Sequence, residues 1–429
     1  MIEIIILVEK HSPRLDYVIS FLEDKLGITV ELSLEQSIES KHSPVIDYRS
    51  TPKANNLSIY NSGLLYELEV TNFSKPDVRK SRYIELFPSN DTGYGIAFDL
   101  FGAIFYCLSR YEEYQDFTGD QHDRFSATES HAHINSYLER PVVDEWVQLM
   151  RELIEDDWQI KLPKPKPFQI LPTIDVDVAW AYLHRKPIHP IGSQLKKLVK
   201  GQEDLLEEQR QAYKTGKDPF DTFDLLKEKI QEFNNHYFFL CNFALPFDTT
   251  YFLDRGEFKK LIKEQDTFAT VGVHPSYESY GVQIKIQQEK EWLEKTIGRS
   301  IKTSRQHYLK LSMPYTYRDL IASDISSDFS MGYADRCGFR AGTSIPFYFY
   351  DLLKEESTDL LIHPFSVMDV TLKDYQKYNI EQAIETINKI KETLKTVNGQ
   401  FSFIWHNSSF AKLGGWGGWD RVFDALIAT

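Results

Sequence analysis

A chain of 429 residues, 42% apolar and 26% charged, has the composition of a folded protein and the length of two or three domains. The formal charge is −14 and no basic block interrupts it, which argues against a protein whose main work is gripping nucleic-acid phosphates. No stretch approaches the roughly 18 apolar residues of a membrane span. The three scattered cysteines, Cys107, Cys241 and Cys337, suit neither a disulfide framework nor a thiolate metal cage.

Met1 to Lys10 lacks a basic leader region and a small-residue cleavage site. It reads as a buried strand over Ile2 to Val8, and the expected location is cytoplasmic. A helix is expected from Ser12 to Lys25, where Leu15, Val18, Ile19 and Leu22 share a face. Asp99 to Gln115 is an apolar run ending in charge, and Asp144 to Asp157 repeats the helical period through Trp146, Leu149, Leu153 and Ile154. Leu108 to Glu113, with Arg124, reads as a helix-end salt-bridge set holding two domains together.

The segment Lys161-Leu-Pro-Lys-Pro-Lys-Pro167 fits no helix or central strand, because each proline fixes φ and lacks an N–H. A domain boundary is therefore expected there, with an N-terminal α/β domain over 1–160, a linker over 161–167 and a second domain over 168–429. Past the linker, strands alternate with helices. Strands are expected at 168–174, 236–243, 267–273, 303–309, 360–363 and 401–406. Helices are expected at 256–265, 283–297, 314–323 and 380–397, with a long, charged, largely helical insert at 187–233. About six β-then-α units imply a parallel sheet in a distorted (β/α) barrel.

Function in such sheets collects at the carboxyl ends of strands. Four expected strand ends carry reactive groups: Asp175 with Asp177, His274 with Glu278, Arg305 with His307, and His406 with Asn407. The aspartates at i and i+2 point the same way on a continuing strand. They are either solvated turn residues or a metal ligand beside a general base. Each histidine alone reads equally well as a hydrogen-bonded rim residue. Neutral imidazole beside carboxylate is also a standard zinc combination.

These phrases resemble the polysaccharide deacetylases of the NodB type, carbohydrate esterase family four, over about 168–425. Thr173-Ile-Asp-Val-Asp177 is similar to that family's T-F-D-D motif, with Val176 inserted. His274-Pro-Ser-Tyr-Glu278 is similar to its H-S/T-x-x-H motif, with Glu278 in the slot of the second histidine. Arg305 resembles the arginine of R-x-P-Y, and Ile404-Trp-His406 the closing L-x-H. The whole chain resembles bacterial deacetylase-like proteins with a preceding domain of unknown function, through phrases such as Leu108-Ser-Arg-Tyr-Glu-Glu113, Gly338-Phe-Arg-Ala-Gly342, Met368-Asp369 and Trp405-His-Asn407.

The resemblance implies a metal-dependent hydrolase that removes an N- or O-linked acetyl group from a carbohydrate. A divalent metal, most simply zinc, polarises the acetyl carbonyl and activates water. Asp175 is then the base, Asp177 and His274 are metal ligands, Arg305 orients Asp175, and His406 protonates the leaving amine. The third ligand is His307 or Glu278, with His307 preferred because it restores an Asp-His-His set. Tyr277, Glu278, Arg340, Trp405 and Asn407 are expected to contact substrate. The substrate expected inside the cell is a nucleotide-sugar, a lipid-linked saccharide or another precursor, with no nucleic-acid partner. The alternatives are an inactive saccharide-binding barrel and a hydrolase of non-sugar C–N bonds. The Gly414 to Trp419 loop either stacks on sugar or docks the final helix. No oligomeric state follows from the sequence.

Overall fold

The computed structural model describes residues 2–35, 44–51, 57–70, 75–91, 93–184, 203–241 and 255–429. Six short strands occupy the first part of the chain: β1 (Ile2–Leu7), β2 (Ile28–Ser33), β3 (Val45–Asp47), β4 (Leu57–Ser58), β5 (Val78–Lys80) and β6 (Ile84–Leu86). The first four form a parallel sheet in the order β2-β1-β3-β4, and β5 and β6 form a separate antiparallel pair. Helix Pro13–Leu26 begins where the Ser12 hydroxyl accepts from the Leu15 N–H, and ends at Gly27 with φ +67. That is the serine N-cap and left-handed glycine stop that local chemistry favours. Helix Leu100–Leu108 is buried along its whole length, capped by the Asp99 carboxylate accepting from Gly102. Helix Val142–Trp158 closes this part of the chain, and residues 159–168 carry no regular structure.

The rest of the described chain builds one mixed sheet of nine strands. They are β7 (Gln169–Val176), β8 (His236–Phe239), β9 (Thr270–Val273), β10 (Thr303–Ser304), β11 (Ser327–Asp328), β12 (Phe347–Asp351), β13 (Glu356–Ile362), β14 (Val367–Met368) and β15 (Gln400–His406). Their order is β12-β13-β11-β10-β9-β8-β7-β15-β14. All neighbours are parallel except β12 and β13. The sheet curls into an open half-barrel, so the distorted-barrel expectation holds in its open form. The central strands β7, β8 and β15 are buried on both faces, as parallel strands covered by helices must be.

Several elements are shorter than the sequence pattern suggests. The strand expected at 303–309 is only Thr303–Ser304, followed by a tight turn at His307–Leu309. Consecutive left-handed residues, Tyr308 (φ +59) and Leu309 (φ +52), break the extended backbone there. After Pro275 the chain makes a single turn at Tyr277–Ser279, and the helix expected at 283–297 spans Gln283–Ile297. Of the insert at 187–233, residues 187–202 lie outside the described part, and helices Glu203–Thr215 and Phe223–Ile230 follow.

The two parts of the chain share one apolar cluster and a buried ion network. Tyr17 packs its ring 5.0 Å from Tyr350 of β12, and its hydroxyl donates to the Tyr348 carbonyl at 2.7 Å. This contact covers an edge strand that would otherwise offer its backbone to other chains. Glu113 accepts from Arg110 Nε at 2.7 Å and from Arg340 at 2.8 and 2.6 Å, all three side chains being buried. Attraction from both arginines holds Glu113 below the usual carboxylate range although burial pushes it up. Arg340 therefore does not contact substrate as the sequence suggested. It sits in the seam between the two parts with its charge already matched. A Glu113→Gln protein leaves the buried Arg340 guanidinium without its carboxylate partner, while Arg110 keeps Glu112 at 3.0 Å, and is expected to lose about 3 kcal/mol or more of stability, read as a lower thermal midpoint by circular dichroism.

Candidate metal centre and active site

The register of the sheet brings the reactive side chains together. His406 lies directly opposite Asp175 across the β7–β15 pair, His274 follows the last residue of β9, and Arg305 follows the last residue of β10. All project at the carboxyl end of the half-barrel, where parallel sheets place their ligands.

Asp175 is held from below. Arg305 Nη1 donates to Asp175 Oδ1 at 2.8 Å and to the Thr173 hydroxyl at 2.8 Å, while Arg305 Nε donates to the Phe329 carbonyl at 3.0 Å. The guanidinium is fully buried, 4.6 Å from the Phe238 ring centroid. One carboxylate oxygen is thereby fixed, and Asp175 Oδ2 faces the cleft, 3.9 Å from His274 Nε2.

Asp177, His274 and His307 each place a ligand atom within 4.8 Å of the others. Asp177 Oδ1 lies 3.1 Å from His274 Nε2, and Asp177 Oδ2 lies 3.5 Å from His307 Nε2. The Nδ1 of His274 donates to the Arg305 carbonyl, which puts its proton there and leaves Nε2 as the lone-pair nitrogen. A second hydrogen bond that fixes the tautomer is the usual support of a metal-binding histidine. Asp177 Oδ1 is shielded from solvent yet has no hydrogen-bond partner among the described residues. Two imidazoles and one orphaned carboxylate oxygen fit a divalent cation well, and zinc in particular.

His406 stands on the other side. Its Nε2 is 3.7 Å from Asp177 Oδ2, and its Nδ1 donates to Asp369 Oδ1 at 2.8 Å. The backbone N–H of His406 donates to Asp369 Oδ2 at 2.8 Å, so one carboxylate grips both ends of the residue. Burial pulls the imidazole down, but Asp369, then Asp177 and Asp175, push it up to about 10. The cleft above these groups is lined further by Arg124, Tyr308, Leu309, Met368, Val370 and Tyr375.

Other expected contacts lie elsewhere. Glu278 points away from the cleft, its carboxylate 3.7 Å from Lys285 Nζ. Tyr277 is at the rim rather than in the lining, with its hydroxyl 3.3 Å from His122 Nδ1 and 3.4 Å from Lys310 Nζ. Trp405 is buried on the opposite face of β15 from His406, packed 5.0 Å from Phe423 and 5.2 Å from Phe410. Asn407 is buried and its amide donates to the carbonyls of Val178 at 3.1 Å and Phe220 at 2.8 Å, tying down the loop after β7. Trp419 is buried under the last helix, the docking alternative for that loop.

The sequence pattern assigns two residues of the site no role in it. Asp369 follows the two-residue strand β14, too short to show a period, and only the pairing of Met368 with Ile404 sets it beside His406. Arg124 is not part of the Arg110–Glu113 set. It pairs with Asp120 and faces the cleft.

Residues 4–159 match the model of a family of unknown function, DUF7033. No curated protein matches the chain. Among solved structures it is similar to a protein of Mycobacterium smegmatis assigned as a polysaccharide deacetylase, at 14% identity and TM-score 0.39, over 63% of this chain and 87% of that one. It is also similar to the polysaccharide deacetylase Bc1974 of Bacillus cereus, at 12% identity and TM-score 0.29, over 60% and 85%. A third is a protein of Bordetella bronchiseptica assigned as a polysaccharide deacetylase involved in O-antigen biosynthesis, at 11% identity and TM-score 0.30, over 60% and 89%. No described helix is long and apolar enough to cross a membrane.

Proposed function

We propose that the chain is a metal-dependent hydrolase that removes an acetyl group from a saccharide. The observation that carries this reading is the convergence of Asp177, His274 and His307 on one point beside a braced Asp175. Asp177, His274 and His307 would hold a divalent cation, with zinc the simplest choice for that donor set. When bound, such a cation supplies Lewis-acid polarisation of a carbonyl and lowers the pKa of water.

The chain's own groups supply the proton handling. Asp175 Oδ2, unengaged by Arg305, takes a proton from water in the cleft. Arg305 keeps the carboxylate oriented. His406, charged through Asp369, carries a proton on Nε2 facing the same cleft and delivers it to the departing amine. An acid and a base on opposite sides of one site, set apart by different neighbours, is the arrangement that hydrolysis of an amide requires.

The test is metal analysis of the purified full chain, paired with acetate release from N-acetylated mono- and oligosaccharides and nucleotide-linked amino sugars. About one divalent ion per chain is expected, with release abolished by a chelator and restored by zinc or cobalt. A chain that holds no such ion and gains no acetate release from added metal overturns the reading and leaves a saccharide-binding barrel.

A further inference from the structure

We infer that Arg124, contributed by the first part of the chain, is a positioning residue that holds the turn presenting His307 to the cleft. The inference rests on the reading of His307 as a metal ligand. It gives the N-terminal part a role in the site of the C-terminal half-barrel.

His307 does not stand on a strand. Strand β10 stops at Ser304, and the chain then folds through Tyr308 (φ +59) and Leu309 (φ +52). Two successive left-handed residues with side chains are sterically disfavoured, and such a turn persists only when its surroundings over-determine it. Within the turn, the His307 N–H donates to the Pro275 carbonyl at 3.0 Å and the Leu309 N–H to the Gln306 carbonyl at 2.9 Å. From outside, Arg124 Nη1 donates to the Tyr308 carbonyl at 2.8 Å. The same guanidinium reaches the opposite wall, where Nη2 donates to the Tyr375 hydroxyl at 3.0 Å. One buried cation thus spans the two walls of the cleft.

Arg124 is itself prepared for this. Asp120 Oδ2 accepts from its Nε at 2.8 Å, and Asp120 Oδ1 accepts the backbone N–H groups of His122 at 2.8 Å and Arg124 at 3.1 Å. The loop is then pinned to the half-barrel by Ser126, whose hydroxyl donates to Asp335 at 2.8 Å. With its charge matched by Asp120 and its donors aimed at a carbonyl and a hydroxyl, Arg124 is built to brace protein rather than to capture a free anion.

The test is hydrogen exchange on the full, metal-free chain, followed by metal affinity from chelator competition. Arg124→Ala is expected to speed amide exchange in the peptide spanning 306–310 by about tenfold or more, because one charge-assisted bond is lost. Exchange in β7 and β15 is expected to stay unchanged. Metal affinity is expected to fall by about tenfold or more, the usual effect of losing a ligand's support. Should that variant fail to fold, Arg124→Lys carries the same expectation, since an ammonium cannot bridge both walls. Unchanged exchange at 306–310, or faster exchange with metal affinity within about twofold of the parent, overturns the inference. A parent chain that binds no metal overturns the hydrolase reading instead, and exchange alone then decides whether Arg124 holds the turn.

Discussion

An Asp175→Asn protein is expected to keep its metal and lose about 10³-fold in acetate release. Asparagine has nearly the shape of aspartate, and its Oδ1 can still accept from Arg305 and so keep the side chain aimed at the cleft. What it lacks is basicity, and no other described carboxylate is both braced by Arg305 and open to the cleft. The substitution also takes a counter-charge from a buried guanidinium. Asp328, buried nearby, still acts on Arg305 through charge, so a lower thermal midpoint with an intact fold is expected. The comparison variant is His274→Ala, which strikes a ligand rather than the base and is expected to lose both metal and activity. Elemental analysis beside single-turnover acetate release separates the two. Full turnover by Asp175→Asn would remove Asp175 from the role of base and leave the half-barrel without one.

The sequence carried the fold well where periods were long. The run Gln169 to Val176 and the helices Gln283–Ile297 and Ile380–Thr396 stand close to where their apolar spacing put them. Strands of two residues, β10, β11 and β14, have no period to read, and the antiparallel β12 breaks the β-then-α alternation. The same limit acted on the site. Asp175, Asp177, His274 and His406 end long or buried strands, so their shared position at one edge of the sheet was legible from the residues themselves. The spacing sets His307 on a strand with Arg305, whereas the strand stops at Ser304, Arg305 lies beneath Asp175, and His307 opens the turn at 307–309 that sets it beside Asp177. Glu278 had the right slot but the wrong turn behind it. Arg340, Trp405 and Asn407 carry chemistry that suits sugars, yet each is committed to the interior by a partner far away in sequence. Polar or aromatic identity alone does not say whether a side chain serves the cleft or the core. Tertiary pairing decides it.

Asp369→Asn is expected to move the alkaline limb of the pH–rate profile towards acid by about two units or more. His406 is pushed up to about 10 because the Asp369 carboxylate, with help from Asp177 and Asp175, overcomes the downward pull of burial. A raised imidazole stays protonated through neutral pH and gives up its charge only as pH climbs towards that value. Activity that needs the proton on Nε2 therefore persists into the alkaline range in the parent. Asparagine can still accept the Nδ1–H through its oxygen, so the ring keeps its direction while the charge that favoured imidazolium is gone. Burial then acts with less opposition and the pKa drops, the sign being downward because the charged form has lost its stabiliser. At pH 9 the variant is expected to be slower by about tenfold, with most of the loss recovered near pH 7, where the weakened imidazole takes up its proton again. A merely structural Asp369 would lower the rate equally at every pH. A profile whose alkaline limb does not move assigns the leaving-group proton to something other than His406.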